Sequence, residues 1–260
     1  MKQIVDLTLS LAPGMRGVDC TPACTLARDG WNASTLHLYS HCGTHMDAAP
    51  HFGVAGHAID EFPLEHCMAT AWVVDLAGIA PRTAIGVEHL GNIARRLRRG
   101  QGLLLHTGWS AFVSRPLYRD ALPPVSRELA RWCVEHGVRL LGVEPPSVAD
   151  VNDLEELAAV HRLLLEGGVT IIEGLTNLEA LTQKKVAFMA FPLKIAGGDG
   201  SPVRAVAFEE RRKPSRMRRS ELVRCVPPQA VIARSRSLAS KQSRTAKVGI
   251  ASSPKSGSTQ

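Results

Sequence analysis

Charge is divided unevenly along this chain, and the division sets how much of it can fold. Residues 211–260 hold 13 of the 31 Lys and Arg residues and a single acid, Glu221, whereas residues 1–210 hold 18 basic and 23 acidic residues. The basic segment is rich in Ser and Arg, lacks aromatic residues and shows no sustained helical or strand period. It therefore buries too little surface to offset its ordering entropy, and it is expected to be a disordered tail. Positive charge without interleaved aromatics or a recognisable module reads better as a solvated extension than as a nucleic-acid arm.

Residues 1–210 are left as one compact domain. Hydrophobic residues make up 45 % of the chain, enough for a full core. No run of eighteen apolar residues occurs, and residues 1–15 alternate apolar and polar positions instead of building an apolar block. Neither a membrane span nor a secretory leader is expected, so the chain reads as cytoplasmic. The six cysteines, Cys20, Cys24, Cys42, Cys67, Cys133 and Cys225, include no CxxC pair and read as reduced thiols.

Apolar runs predict strands near 3–9, 34–40, 70–76, 102–106, 138–143, 169–172, 185–191 and 203–208. Helical spacing appears over Val87–Leu97, after the possible cap Ser126, and over Leu154–Leu165. The second half thus reads β-α-β-α-β and the first half as strand and loop, giving a single strand-rich α/β domain.

Four of the ten histidines fall between positions 37 and 51. His41, His45, Asp47 and His51 all occupy odd positions, which share one face of an extended chain. Three imidazoles and a carboxylate projecting together suit a borderline divalent ion far better than an apolar core. His37 has the same parity but reads equally well as a structural residue. Far along the chain, His161 lies on the apolar stripe of the last helix and should point inward. Glu173 closes a buried-looking strand just before Gly174, where a lone charge would be costly.

The segment His41-Cys42-Gly43-Thr44-His45-Met46-Asp47, followed by His51, resembles the His-x-Gly-Thr-His-x-Asp signature of the metal-dependent cyclase family of hydrolases, whose best-known members are bacterial kynurenine formamidases. Supporting segments include Val5–Leu9, Leu104–Trp109, Gly142–Val148, Glu173–Leu175 and Ser201–Ala205. The resemblance spans roughly 1–209 and implies a swivelling β/β/α fold and a homodimer or larger homo-oligomer. It also implies His41, His45, Asp47, His161 and Glu173 as metal ligands and His51 as proton donor and acceptor. The implied cofactor is one or two divalent ions, Zn²⁺ or alternatively Mn²⁺. The implied reaction is hydrolysis of a small-molecule amide, formamide, lactone or cyclic amide, with N-formylkynurenine the leading substrate. An isatin hydrolase-like activity, or a non-catalytic metal- or ligand-binding role, is the alternative.

Two departures bear on specificity. Pro50 directly precedes His51, one position later than is common in the family, and Glu144-Pro145 stands where Asp-Thr is common. Trp31 and Trp109 are candidate substrate contacts, with Phe52 as a further aromatic wall. Cys42, at an even position, should pack away from the metal face. Gly197–Ser201 lacks the ending of a phosphate-binding loop and reads as a turn.

Overall fold

The computed structural model describes residues 2–210, so the calls on the basic tail lie outside the described residues. Among the described residues there are ten strands: β1 (Lys2–Asp6), β2 (Val18–Cys24), β3 (Ala33–Leu38), β4 (His45–Asp47), β5 (Met68–Asp75), β6 (Gly102–His106), β7 (Leu140–Val143), β8 (Thr170–Glu173), β9 (Lys185–Pro192) and β10 (Gly200–Glu210). The α-helices are α1 (Leu26–Asp29), α2 (Ile93–Arg96), α3 (Leu117–Asp120), α4 (Arg127–Glu135) and α5 (Leu154–Glu166).

Eight strands form one sheet in the order β1-β10-β4-β8-β7-β6-β5-β9, and β9 pairs back onto β10, closing a seven-stranded ring. Closure depends on the length of β10. Its start, Gly200–Pro202, pairs with β4, while Val203–Phe208 pair with β9 along the opposite edge. Strands β5 to β8 run parallel, in agreement with the β-α-β-α-β reading of this half.

The apolar runs of β6, β7 and β8 are continuous because both faces are covered. Leu103, Leu105, Leu141, Val143 and Ile171 pack with Leu129, Cys133, Val160 and Leu164 of α4 and α5. Leu104, Leu140 and Ile172 face the ring interior, which they share with Phe188, Ala190, Ala205 and Ala207. Capping follows the sequence: the Ser126 hydroxyl accepts the Leu129 N–H at 3.1 Å, and the Asp153 carboxylate accepts the Glu156 N–H at 3.0 Å.

Besides β4, three residues long and outside the expected strands, three features depart from expectation. Val87–Leu97 is not one helix: a 3₁₀ turn over Val87–Leu90 is separated from α2 by Gly91, whose φ of 52° and ψ of −127° no helix tolerates. β1 stops at Asp6, after which Leu7 and Thr8 leave it to bond with Ala205 on one side and with Leu175 and Thr176 on the other. β2, absent from the sequence reading, pairs with β3 as a separate two-stranded hairpin. Leu26, Trp31, Leu36 and, just past β3, Tyr39 stand exposed along it.

Candidate metal centre

Only two of the four odd-numbered residues owe their common direction to strand alternation. His45 and Asp47 project from β4, whose neighbours set their partners: His45 lies opposite Glu173 on β8, and Asp47 opposite Gly200 on β10. His41 arrives through the turn before β4, where Gly43 adopts a φ of 60°. Thr44 pins that turn, its hydroxyl donating to the Gly174 carbonyl at 2.5 Å and accepting the Leu9 N–H at 2.8 Å. His51 lies in the 3₁₀ turn Ala49–Phe52, so Pro50 contributes a helix-compatible φ rather than a kink. The His51 ring stacks on His41 with centroids 3.7 Å apart. His37 stands exposed on β3, and Cys42 is buried, its thiol pushed up by burial.

His161 points inward from α5, although Leu154, seven residues earlier along the same stripe, is 74 % exposed in the first helical turn. Its Nε2 lies 3.2 Å from Glu173 Oε1 and 3.6 Å from Asp47 Oδ2. On the other side, His45 Nε2 lies 3.1 Å from Glu173 Oε2 and 3.7 Å from Asp47 Oδ1, and His41 Nδ1 lies 2.9 Å from Asp47 Oδ1. The structure thus brings together all five residues read as ligands, with His51 at their edge.

Electrostatics bind this cluster tightly. Burial disfavours charge on Glu173, but hydrogen bonds from His161 and His45 outweigh it and hold the carboxyl well below the usual carboxylate range. Burial likewise opposes charge on His45, yet the hydrogen bond and charge of Glu173, helped by Asp47, raise this imidazole to about 9. His161 is raised for the same reasons. His51 goes the other way: burial lowers its pKa, and repulsion from His41 and His161 adds to the effect while Asp47 opposes it.

These directions predict how the chelated protein responds to pH. The His45 contribution to stability is full below its ordinary value of 6.5 and is lost as pH rises through about 9. The Glu173 contribution is present above 4.5 and is lost only on acidification below that value. The melting temperature of chelated protein should therefore fall between pH 6.5 and 9, whereas Zn²⁺-titrated protein should not, because the ion replaces the protons. A flat profile for the chelated protein would remove the His45–Glu173 pair from this account.

The donor set fits a divalent cation. Asp47 Oδ2 is a buried carboxylate oxygen with no hydrogen-bond partner, an arrangement that is costly unless a cation satisfies it. His41, His45 and Asp47 bring one donor atom each within 4.8 Å of one another, and so do Asp47, His161 and Glu173. Imidazole nitrogen and carboxylate oxygen are the donors that Zn²⁺ and Mn²⁺ accept.

The aromatic candidates are dispersed. Phe52 stacks on His161 at 4.4 Å and meets His51 edge-on at 4.5 Å, so it walls the cluster. Trp109 is 2 % exposed and donates its indole N–H to the Tyr118 carbonyl, while Trp31 is 58 % exposed at the hairpin. Glu144 has an organising place in the adjoining loop. Its fully buried carboxylate accepts the N–H groups of Thr107 and Gly108 at 2.6 and 2.5 Å and the hydroxyls of Thr107 and Ser110. Glu144→Gln keeps an oxygen for the Thr107 and Gly108 N–H groups but loses the charge they share and turns its N–H₂ towards the Ser110 hydroxyl, so it should cost about 1–3 kcal/mol, read as a lowered denaturation midpoint. An unchanged midpoint would mean that the loop re-forms without the carboxylate.

A strand-rich α/β ring with a buried His/Asp/Glu centre at β4 is the class of protein that fold and site define. The family model described as "Putative cyclase" matches residues 5–150. The chain belongs to this family. It is 35 % identical over 181 residues to the kynurenine formamidase of Salinibacter ruber, an alignment covering 67 % of this chain and 79 % of the relative. The Bacillus cytotoxicus kynurenine formamidase is 31 % identical over 207 residues, covering 79 % of this chain and 94 % of that one. Among solved structures, isatin hydrolase A from Ralstonia solanacearum superposes with a TM-score of 0.73 at 25 % identity, covering 80 % of this chain and 92 % of that one.

Asp199 escaped the sequence reading. It approaches His41 from the Gly197–Ser201 turn, and only its neighbourhood to the matching Ser201–Ala205 segment hinted at a place near the site.

Proposed function

We propose that this chain is a divalent-metal-dependent hydrolase that opens a carbon–nitrogen bond other than a peptide bond, with the aryl formamide N-formylkynurenine as substrate. The arrangement of two carboxylates carries the reading. Asp47 turns Oδ1 to His41 and His45 and Oδ2 to His161, while Glu173 turns Oε2 to His45 and Oε1 to His161. A pair of carboxylates that each face two groups of imidazoles suits two bridged ions, held by His41, His45, Asp47, His161 and Glu173. Zn²⁺ is the preferred ion and Mn²⁺ the alternative.

When bound, the ion supplies Lewis acidity towards the substrate carbonyl and acidifies water. His51, kept neutral by its surroundings, accepts a proton from the attacking water and returns it to the leaving amine. Phe52 offers an apolar face to an aryl group and keeps bulk water from His161. Trp109 braces the 107–110 turn from behind, and Trp31 sits on the hairpin, whose exposed apolar residues suit a homo-oligomer contact. We assign the ring to the swivelling β/β/α type and the protein to the cytoplasm. Among the described residues, no helix is long and apolar enough to cross a membrane.

The superposition on isatin hydrolase A favours a cyclic amide as the second reading. Purified protein titrated with Zn²⁺ or Mn²⁺ and assayed on N-formylkynurenine, isatin and an aryl lactone separates the cases. Turnover of the formamide above the others is expected. Preference for isatin would establish the second reading, and metal binding without turnover of any of them would leave a binding protein with this fold.

A further inference from the structure

The turn before β10 carries an acid that the reaction outlined above does not use. Three hydrogen bonds lock this turn onto the segment that bears the site. Ala48 N–H donates to the Asp199 carbonyl at 2.9 Å, Ile59 N–H to the Gly198 carbonyl at 2.9 Å, and Gly197 N–H to Asp60 Oδ1 at 2.9 Å. His41 lies directly against it: a Cβ on Gly200 would come within 2.6 Å of the imidazole Cε1. The Asp199 carboxylate, 47 % exposed, faces His41 Nε2 with Oδ2 at 3.4 Å.

The three buried imidazoles of the centre differ in how their outer nitrogens are satisfied. His45 Nδ1 meets the Gly43 carbonyl at 3.1 Å, and His161 Nδ1 meets the Leu157 carbonyl at 2.7 Å. A carbonyl can only accept, so both rings carry a proton on Nδ1; their Nε2–H groups donate to Glu173 in the metal-free cluster, and it is Nε2 that would give up its proton to an ion. His41 is reversed. Its Nδ1 faces inward to Asp47, and its outward Nε2 is a buried nitrogen with no hydrogen-bond partner.

A histidine that holds a metal gives its other N–H to an acceptor, which sets the tautomer and the ring orientation. We infer that Asp199 is the positioning carboxylate of His41: it receives the Nε2 proton, leaves the Nδ1 lone pair directed to the Asp47 side, and steadies the ring on which His51 is stacked. In the metal-free ring the Nδ1 proton goes to Asp47. Once Nδ1 gives its lone pair to an ion, the remaining proton must sit on Nε2, where Asp199 accepts it. The inference rests on the metal reading above but not on the identity of the substrate.

A competing arrangement is visible in the same atoms. His41, His51 and Asp199 also bring one donor each within 4.8 Å of one another, as they would if Asp199 itself held a cation. The test uses the full chain and Zn²⁺ alone, measuring stoichiometry and affinity against a chromophoric chelator. Asp199→Ala should keep the wild-type number of ions and bind them ~10- to 100-fold more weakly, the usual cost of losing an outer partner. Asp199→Asn, whose amide oxygen still accepts from Nε2–H, should recover most of that loss. Long-range ¹H–¹⁵N imidazole spectra of the Zn²⁺-loaded wild type should show the proton of His41 on Nε2, opposite to His45 and His161.

Wild-type affinity in the Asp199→Ala protein, or a His41 spectrum with the proton on Nδ1, would overturn the assignment. Loss of one ion per chain in Asp199→Asn would make Asp199 a ligand instead. A wild-type chain that binds no Zn²⁺ would overturn the metal reading itself, and this inference with it. Circular dichroism melts of both variants separate a local effect from misfolding.

Discussion

Glu173→Ala is expected to abolish turnover and to strip the protein of tightly bound metal in the same step. Glu173 joins the two halves of the centre, since His45 and His161 each face one of its oxygens and the Val148 N–H donates to Oε1 at 2.6 Å. Its removal leaves buried imidazoles raised by a charge that is no longer there, a loss of the kind that costs about 3–5 kcal/mol. The metal-free variant should therefore also melt earlier than metal-free wild type. Glu173→Gln retains the shape and one acceptor, so it should recover part of the stability but little of the metal. Metal content and turnover measured on the same preparations decide the matter. A Glu173→Ala protein that keeps its ions would exclude Glu173 as a ligand.

The opposite pattern is expected at the rim. His51→Ala should slow kcat by ~10²- to 10⁴-fold, the usual worth of a general acid–base group, while leaving metal content at the wild-type level. Its ring contacts His41, Phe52 and His161 through stacking and edge packing, without the paired carboxylate contacts that mark His45 and His161. His51→Asn should be no better, because an amide exchanges no proton near neutral pH. A metal-depleted His51→Ala protein would make His51 a ligand, and a fully active one would remove it from the mechanism.

The candidate centre was more legible in the sequence than the scaffold that holds it. Three candidate donors, with His51 just beyond, could be named because the His-x-Gly-Thr-His-x-Asp segment concentrates them, and His161 and Glu173 because an inward stripe and a strand end hold polar groups there; yet the parity argument explains only His45 and Asp47. His41 and His51 reach the site through a turn and a 3₁₀ segment, where alternation has no meaning. β4 itself was invisible as a strand: it spans three residues, and its pairing is set by β8 and β10, both more than a hundred positions away. Ring closure is hidden for the same reason, since no local pattern reveals that β10 serves β4 on one edge and β9 on the other. The helix misread over Val87–Leu97 shows the converse: a correct apolar period interrupted by one glycine whose backbone angles are not helical. Asp199 carries no signal in the sequence because its glycine-rich turn has no helix or strand period that would bring it to His41, more than 150 positions away.

The dependence of β4 on β10 has a consequence for the order in which the ribosome makes this protein. By the time Glu173 has been synthesised, all five donors exist, but the partner of His45, Met46 and Asp47 on one flank, Gly200–Pro202, does not. Translation therefore delivers the candidate donors early and part of their frame last. A chain that stops before β10 carries the full set of candidate imidazoles and carboxylates with β4 held on its β8 flank alone, and only the completed ring fixes Asp47 from both sides. On the metal reading, quality control that counted bound metal would be counting closed rings.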